Sequence, residues 1–254
     1  MAMKRRAKRS SRRWISVLVN ILFLCLGLAI AGAVILFEPS WIRSVTQVAS
    51  SSSSSSSTSS SELESPVPNV NRTDWQLILV NRDNRHEAPA PELATIEDIQ
   101  VDKRIEQDTK DFLAAARKIE AEEKILSAYR SKEDQTQIYN EAVAAEEAAG
   151  RPRSEAEAEV QKRIQIPGAS EHKTGLAIDM APEAGQPDEL GEKIAAIAPD
   201  YGFVLRYPKD KSPITGVDFE NWHYRYVGKE SAKYMTKHNL VLEEYIALLK
   251  KMGR

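Results

Sequence analysis

A histidine and an aspartate stand seven residues apart in Ser-Glu-His-Lys-Thr-Gly-Leu-Ala-Ile-Asp, residues 170–179. The chain has only four histidines in 254 residues, so the setting of each one carries information. His172 reads either as a loop residue beside an aspartate that closes a short strand, or as one of two ligands aimed at a common metal. A second stretch, Asp-Phe-Glu-Asn-Trp-His-Tyr-Arg-Tyr-Val at 218–227, bears on the choice. Alone, His223 reads as a core histidine hydrogen-bonded to a neighbour. With His172 and Asp179 it makes two neutral imidazoles and a carboxylate, a set suited to catalytic zinc that leaves the fourth tetrahedral position for water. A structural zinc needs a fourth protein ligand, and the sole cysteine, Cys25, lies far away in an apolar run. His86, in a polar turn, and His238, near the C-terminus, have no comparable setting.

Zinc lowers the pKa of a bound water to near ~7 and polarises a carbonyl. Amide hydrolysis also needs a group that takes the water proton and returns it to the leaving amine. Glu220, three residues before His223, is the economical choice. Gly175 is expected where backbone passes close to the site without a Cβ, a plain turn glycine being the alternative.

These residues need elements to hold them. TGLAIDM at 174–180 reads as an apolar strand, and FVLRY at 203–207 and WHYRYV at 222–227 alternate like strands. KILSAYR at 124–130 reads as another strand, leading into a helix that Ser131 caps and Glu133 and Asp134 favour at its positive end. Residues 105–123 place Phe112, Leu113, Ala116 and Ile119 at helical spacing. The Ala/Glu-rich stretch 141–163 reads as two exposed helical pieces broken at Gly150-Arg151-Pro152. LGEKIAAIAPDYG at 190–202 reads as a helix stopped near Pro199, and helices are expected from Lys229 to Leu249 with a break at His238-Asn239. WQLILV at 75–80 reads as a short buried strand that begins the folded domain. Helices and short strands mix without a regular βαβ repeat, which predicts an α+β fold with a small, mainly antiparallel sheet.

Charge divides the chain. Residues 1–49 carry 8 Lys and Arg against Glu38 alone, which leaves 27 basic and 36 acidic residues in 50–254. An acidic body is a poor match for nucleic acid. The head holds 24 consecutive uncharged residues at 14–37, enough at about 1.5 Å each to cross a ~30 Å hydrocarbon core. Seven basic residues precede this run and one, Arg43, follows it closely, so the positive-inside rule predicts a single-pass anchor with residues 1–13 cytoplasmic and the rest extracellular. A signal peptide cleaved after Ala31 is the rival, although the apolar run continues six residues further. Residues 50–61 are eleven serines and a threonine, so 38–74 reads as a flexible tether and 75–254 as the functional domain.

The segments SAYRS at 127–131 with Gln135, SEHKTGLAID at 170–179 and ENWHYRYV at 220–227 resemble, in order and spacing, the VanY-type D-alanyl-D-alanine carboxypeptidases and their LdcB-type L,D-carboxypeptidase relatives. The resemblance covers residues 75–248. It implies the zinc DD-peptidase (hedgehog-like) fold, zinc on His172, Asp179 and His223, and Glu220 as catalytic base. It also implies Arg130 and Ser170 near the substrate's terminal carboxylate and scissile carbonyl, with Gln135 and Tyr207 lining the pocket. The implied substrate is a peptidoglycan stem peptide losing its terminal D-alanine; the protein itself is expected to be a monomer. Three alternatives are an L,D-carboxypeptidase on tetrapeptide stems, a peptidoglycan endopeptidase and a non-catalytic wall-binding module.

Overall fold

The computed structural model describes residues 66–254. The basic head, the apolar run at 14–37 and the serine tract lie outside them. Among the described residues no helix is long and apolar enough to cross a membrane.

The largest sheet among the described residues is four-stranded and wholly antiparallel. Its strands are β3 (Lys124–Ser127), β4 (Ala177–Ala181), β5 (Phe203–Tyr207) and β6 (Glu220–Tyr226), in the order β3-β4-β6-β5. A separate hairpin pairs β1 (Leu93–Ile96) with β2 (Ile99–Asp102), turning at Glu97 with φ 54°. Neither strand was anticipated. The turn is Glu97-Asp98, without the Asn or Gly that usually supplies positive φ in a two-residue loop.

The helices are α1 (Glu106–Ala116), α2 (Lys132–Ala148), α3 (Arg153–Gln161), α4 (Asp188–Ile197), the single turn α5 (Ser212–Thr215), α6 (Lys229–Lys237) and α7 (Leu242–Lys251). α1 buries Phe112, Leu113 and Ala116 as their spacing predicts, but it ends at Ala116 and leaves Ile119 39% exposed. α2 begins with the expected cap: Ser131 Oγ accepts from the Asp134 amide at 3.0 Å, and the Asp134 carboxylate accepts in turn from the Ser131 amide at 3.3 Å. α2 and α3 are less exposed than the Ala/Glu composition suggests. Tyr139, Ala142 and Val143 of one meet Ala156 and Val160 of the other in a small core of their own.

The sheet buries both faces. On one, Ile178, Met180, Phe203, Tyr224 and Tyr226 pack with Phe112 of α1, whose ring lies 5.2 Å from those of Phe203 and Tyr224. On the other, Val204 and Val227 join Met235 of α6 and Leu242, Tyr245 and Leu249 of α7. Period-two alternation sends neighbouring residues of each strand to opposite faces.

The expected strand WQLILV is a correction. Trp75–Leu77 form a 3₁₀ turn, and 78–80 run on without a strand partner. The cause lies with Arg225: its Nη2 donates to the carbonyls of Gln76 at 3.1 Å and Ile78 at 2.8 Å. A guanidinium satisfies backbone groups that a sheet ladder would otherwise pair. Upstream, Val67 and Val70 pack against the α6–α7 core.

Candidate metal centre

Strand register does most of the assembly. Asp179 on β4 pairs directly with His223 on β6, and Ser127 on β3 pairs with Asp179. In a regular strand Glu220 and His223, three apart, point to opposite faces. Here the register against β5 shifts between Leu205↔Tyr224 and Tyr207↔Glu220, so β6 spends two extra residues crossing that interval. The irregularity turns Glu220 towards His223, with its Oε2 3.3 Å from His223 Nδ1, and leaves Trp222 40% exposed.

His172 comes from a 3₁₀ turn, Glu171–Thr174, closed by Gly175 at φ 70°. A Cβ on Gly175 would lie 2.7 Å from the Asp102 backbone nitrogen, whose amide donates to the Gly175 carbonyl at 3.0 Å. The close approach expected at Gly175 is therefore made to β2 and not to the metal ligands. It presses the turn against the hairpin and so sets the position of His172.

The three candidate ligands meet. His172, Asp179 and His223 each offer a ligand atom, and these atoms all lie within 4.8 Å of one another. His172 Nδ1 donates to the Ala128 carbonyl at 2.7 Å, which leaves Nε2 as the lone-pair nitrogen, 3.3 Å from Asp179 Oδ2. His223 Nδ1 is 3.2 Å from Asp179 Oδ1, a buried oxygen with no hydrogen bond. Burial, reinforced by the Arg130 charge, lowers the His172 pKa to about 4 and keeps it neutral as a ligand must be. Burial would raise the Asp179 pKa, but His172 when protonated and the Arg130 guanidinium hold the carboxyl well below its ordinary value. Burial raises the Glu220 pKa against the opposing pull of His223. Against burial, Asp179, Glu171 and Glu220 raise the His223 pKa well above its ordinary value, so a cation bound at this imidazole would take the place of a proton. The set fits zinc: two imidazoles, one ionised carboxylate with an unpartnered oxygen, and the Glu220 carboxyl beside them.

The remaining expected residues surround this set in different ways. Arg130 is one-fifth exposed; its Nε donates to Ser127 Oγ at 2.8 Å and its Nη2 to Asp179 Oδ2 at 2.6 Å. It thus braces a ligand as well as standing at the head of α2. Ser170 is buried directly before the His172 turn, and the Tyr207 ring lies 4.9 Å from that of His223. Gln135 donates its amide to the Gln165 carbonyl at 2.6 Å, with its own Oε1 buried and unpartnered.

Sequence reasoning passed over a buried ionic group behind the site. Glu171 accepts from Arg206 and Arg225, each at 2.8 Å, and Arg206 also pairs with Glu243 of α7. Burial would raise the Glu171 pKa, yet the two guanidinium groups hold it well below the usual carboxylate range. The signal was present in FVLRY and WHYRYV. An arginine at an inward position of an apolar strand must have a buried carboxylate to meet.

Comparison with known proteins points to one family. A family model described as VanY, D-alanyl-D-alanine carboxypeptidase, matches residues 98–229. The chain is 37% identical over 179 residues to a D-alanyl-D-alanine carboxypeptidase of Enterococcus faecalis, covering 68% of this chain and 66% of that protein's length. Among solved structures it is similar to VanYB in complex with D-alanine-D-alanine, with a TM-score of 0.65 and 38% identity over 68% of this chain and 98% of the other. A mutant of the D,D-pentapeptidase VanY from the VanB-type vancomycin resistance cassette, in complex with Zn(II), gives a TM-score of 0.64 and 37% identity, covering 68% of this chain and 99% of the other.

Proposed function

The chain belongs to the VanY family of D-alanyl-D-alanine carboxypeptidases, and from that premise we propose that it removes the carboxy-terminal D-alanine of peptidoglycan stem peptides by zinc-dependent hydrolysis. The observation that carries this reading is the convergence of His172, Asp179 and His223 within 4.8 Å, with Glu220 turned towards them by the irregularity in β6.

Zinc held by these three residues supplies a Lewis acid for the scissile carbonyl and acidifies a water to a pKa near ~7. The protein's own groups do the rest. Glu220 takes the proton of the attacking water as the new C–O bond forms. It then delivers that proton to the nitrogen of the departing D-alanine as the C–N bond breaks, so one carboxyl serves as base and acid in turn. Arg130 pairs with the substrate's terminal carboxylate while its Nη2 keeps Asp179 in place; a guanidinium has enough donors for both. Ser170, Gln135 and Tyr207 form the wall around the terminal residue.

The full chain incubated with muropeptides of defined stem length should release free D-alanine from pentapeptide stems, identified by mass. Release from tetrapeptides alone would assign the L,D bond, cleavage between two inner residues would assign an endopeptidase, and no product from any stem would overturn an enzymatic role.

The apolar run at 14–37, with basic residues before it and the serine tract after it, supports a single-pass anchor that holds the catalytic domain outside the cell membrane. Protease added to intact cells should then remove the catalytic domain and leave a membrane-bound fragment. A shortened protein found in the medium of untreated cells would favour signal cleavage instead.

A further inference from the structure

Glu171 is fully buried, yet it is neither a ligand nor the base. Its two oxygens are used differently. Oε1 accepts from Arg206 Nε and from Arg225 Nη1, both at 2.8 Å. Oε2 accepts no hydrogen bond and stands 3.7 Å from Nε2 of His223, which is itself buried without a partner. Two orphaned polar atoms inside a protein are costly, and here they face each other.

The two nitrogens of His223 therefore look at different neighbours. Nδ1 faces Asp179 and Glu220, while Nε2 faces Glu171. A neutral imidazole has one N–H and one lone pair, and only the lone-pair nitrogen binds a metal. The group that holds the proton on one nitrogen chooses the other as ligand.

Arg206 makes two further bonds to Glu243, so the two buried guanidinium groups meet two carboxylates without drawing on Oε2. That oxygen is left for the imidazole. Arg225 in turn ties the same network to the carbonyls of Gln76 and Ile78.

We propose that Glu171 is a positioning residue: the negative charge of its Oε2, facing Nε2 of His223, keeps the imidazole proton on that nitrogen so that Nδ1 is presented to zinc, and Arg206 and Arg225 aim that carboxylate by gripping its other oxygen. The inference rests on zinc occupying the His172–Asp179–His223 set. It concerns metal affinity and the choice of ligand nitrogen, and neither depends on turnover.

The test uses the full chain and zinc alone. In competition with a chelator, Glu171→Gln should bind zinc about 10–100-fold more weakly than the wild type. Glu243→Gln removes a carboxylate from the same arginine network without touching His223, and its zinc affinity should stay within about threefold of the wild type. In the zinc-loaded wild type, long-range proton–nitrogen correlation should find His223 Nδ1 metal-bound and Nε2 protonated. Glu171→Gln within about threefold of the wild type, or Glu243→Gln weakened as much as Glu171→Gln, overturns the proposal. If Glu171→Gln does not fold, the nitrogen assignment decides, and a metal-bound Nε2 overturns it. A wild type that takes up no zinc overturns the zinc reading and this proposal with it, and metal analysis shows that before any variant is made.

Discussion

On one face of the four-stranded sheet Ile178, Met180, Phe203, Tyr224 and Tyr226 meet Phe112; on the other, at alternate positions of the same strands, stand Asp179, Arg206, His223 and Arg225. Both sets are buried. The first is held by burial and ring packing, which are non-directional and spread over many contacts. The second is held by directional contacts between particular atoms. Glu171 Oε1 has its arginines, and His172 Nδ1 has the Ala128 carbonyl. A loss on the first face therefore lowers stability in proportion to the volume removed. A loss on the second changes chemistry out of proportion to its size.

The sharpest contrast is expected at Glu220. Glu220→Ala should lower kcat by ~10²–10⁴-fold or more while zinc content and melting temperature hold, because the base is not a ligand and its removal deletes a buried carboxyl. Parallel kinetics and metal analysis check this. Loss of zinc together with activity would make Glu220 part of the coordination set and erase the distinction.

Next in size is Phe112→Ala on the apolar face. It should cost about 3–5 kcal/mol in denaturant unfolding, while the protein that remains folded binds zinc as before. A zinc affinity that falls along with stability would show that the two faces are mechanically one.

Glu123 asks what a buried carboxylate does without the arginines that Glu171 enjoys. Both of its oxygens are buried and unpartnered, because Arg117 donates to the Glu123 backbone carbonyl and to Glu97. Burial, helped by the nearby Glu120, pushes its pKa up from 4.5 to about 7. A carboxyl raised in the folded state binds its proton more tightly there than in the unfolded chain. Its contribution is thus fully present below about pH 4.5, is lost as pH rises through about 7, and is flat above. Glu123→Gln should remove that slope and stabilise the protein at pH 8 by up to about 3 kcal/mol, read from unfolding midpoints across pH. A wild-type profile without the decline would mean that Glu123 finds a partner.

The smallest effect, and the one that bears most on substrate, belongs to Arg130. Arg130→Ala should lower kcat/KM on a free-carboxylate substrate by about 1.5–3 kcal/mol of transition-state binding, and by much less on the terminal amide. Equal losses on both would confine Arg130 to its contact with Asp179 and favour an endopeptidase.

Much of this site was legible along the chain because its parts are local. The candidate ligand and base residues stand in two short stretches, and the Ser131 cap with the periodicity of α1 announces the helices around them. Other features depend on partners distant in sequence. Asp179 meets His223 only through the pairing of β4 with β6. The turn of Glu220 towards the same face needs the register shift against β5, which strand alternation alone would have denied. The β1–β2 hairpin was hidden because its turn has no glycine or asparagine, and WQLILV departed from its strand pattern because Arg225, far along the chain, takes its carbonyls. Residue types determined which chemistry was available. Which nitrogen faces Asp179, and which carboxylate stands behind it, were decided by tertiary structure, because a buried polar atom must be satisfied by whatever the fold brings within reach.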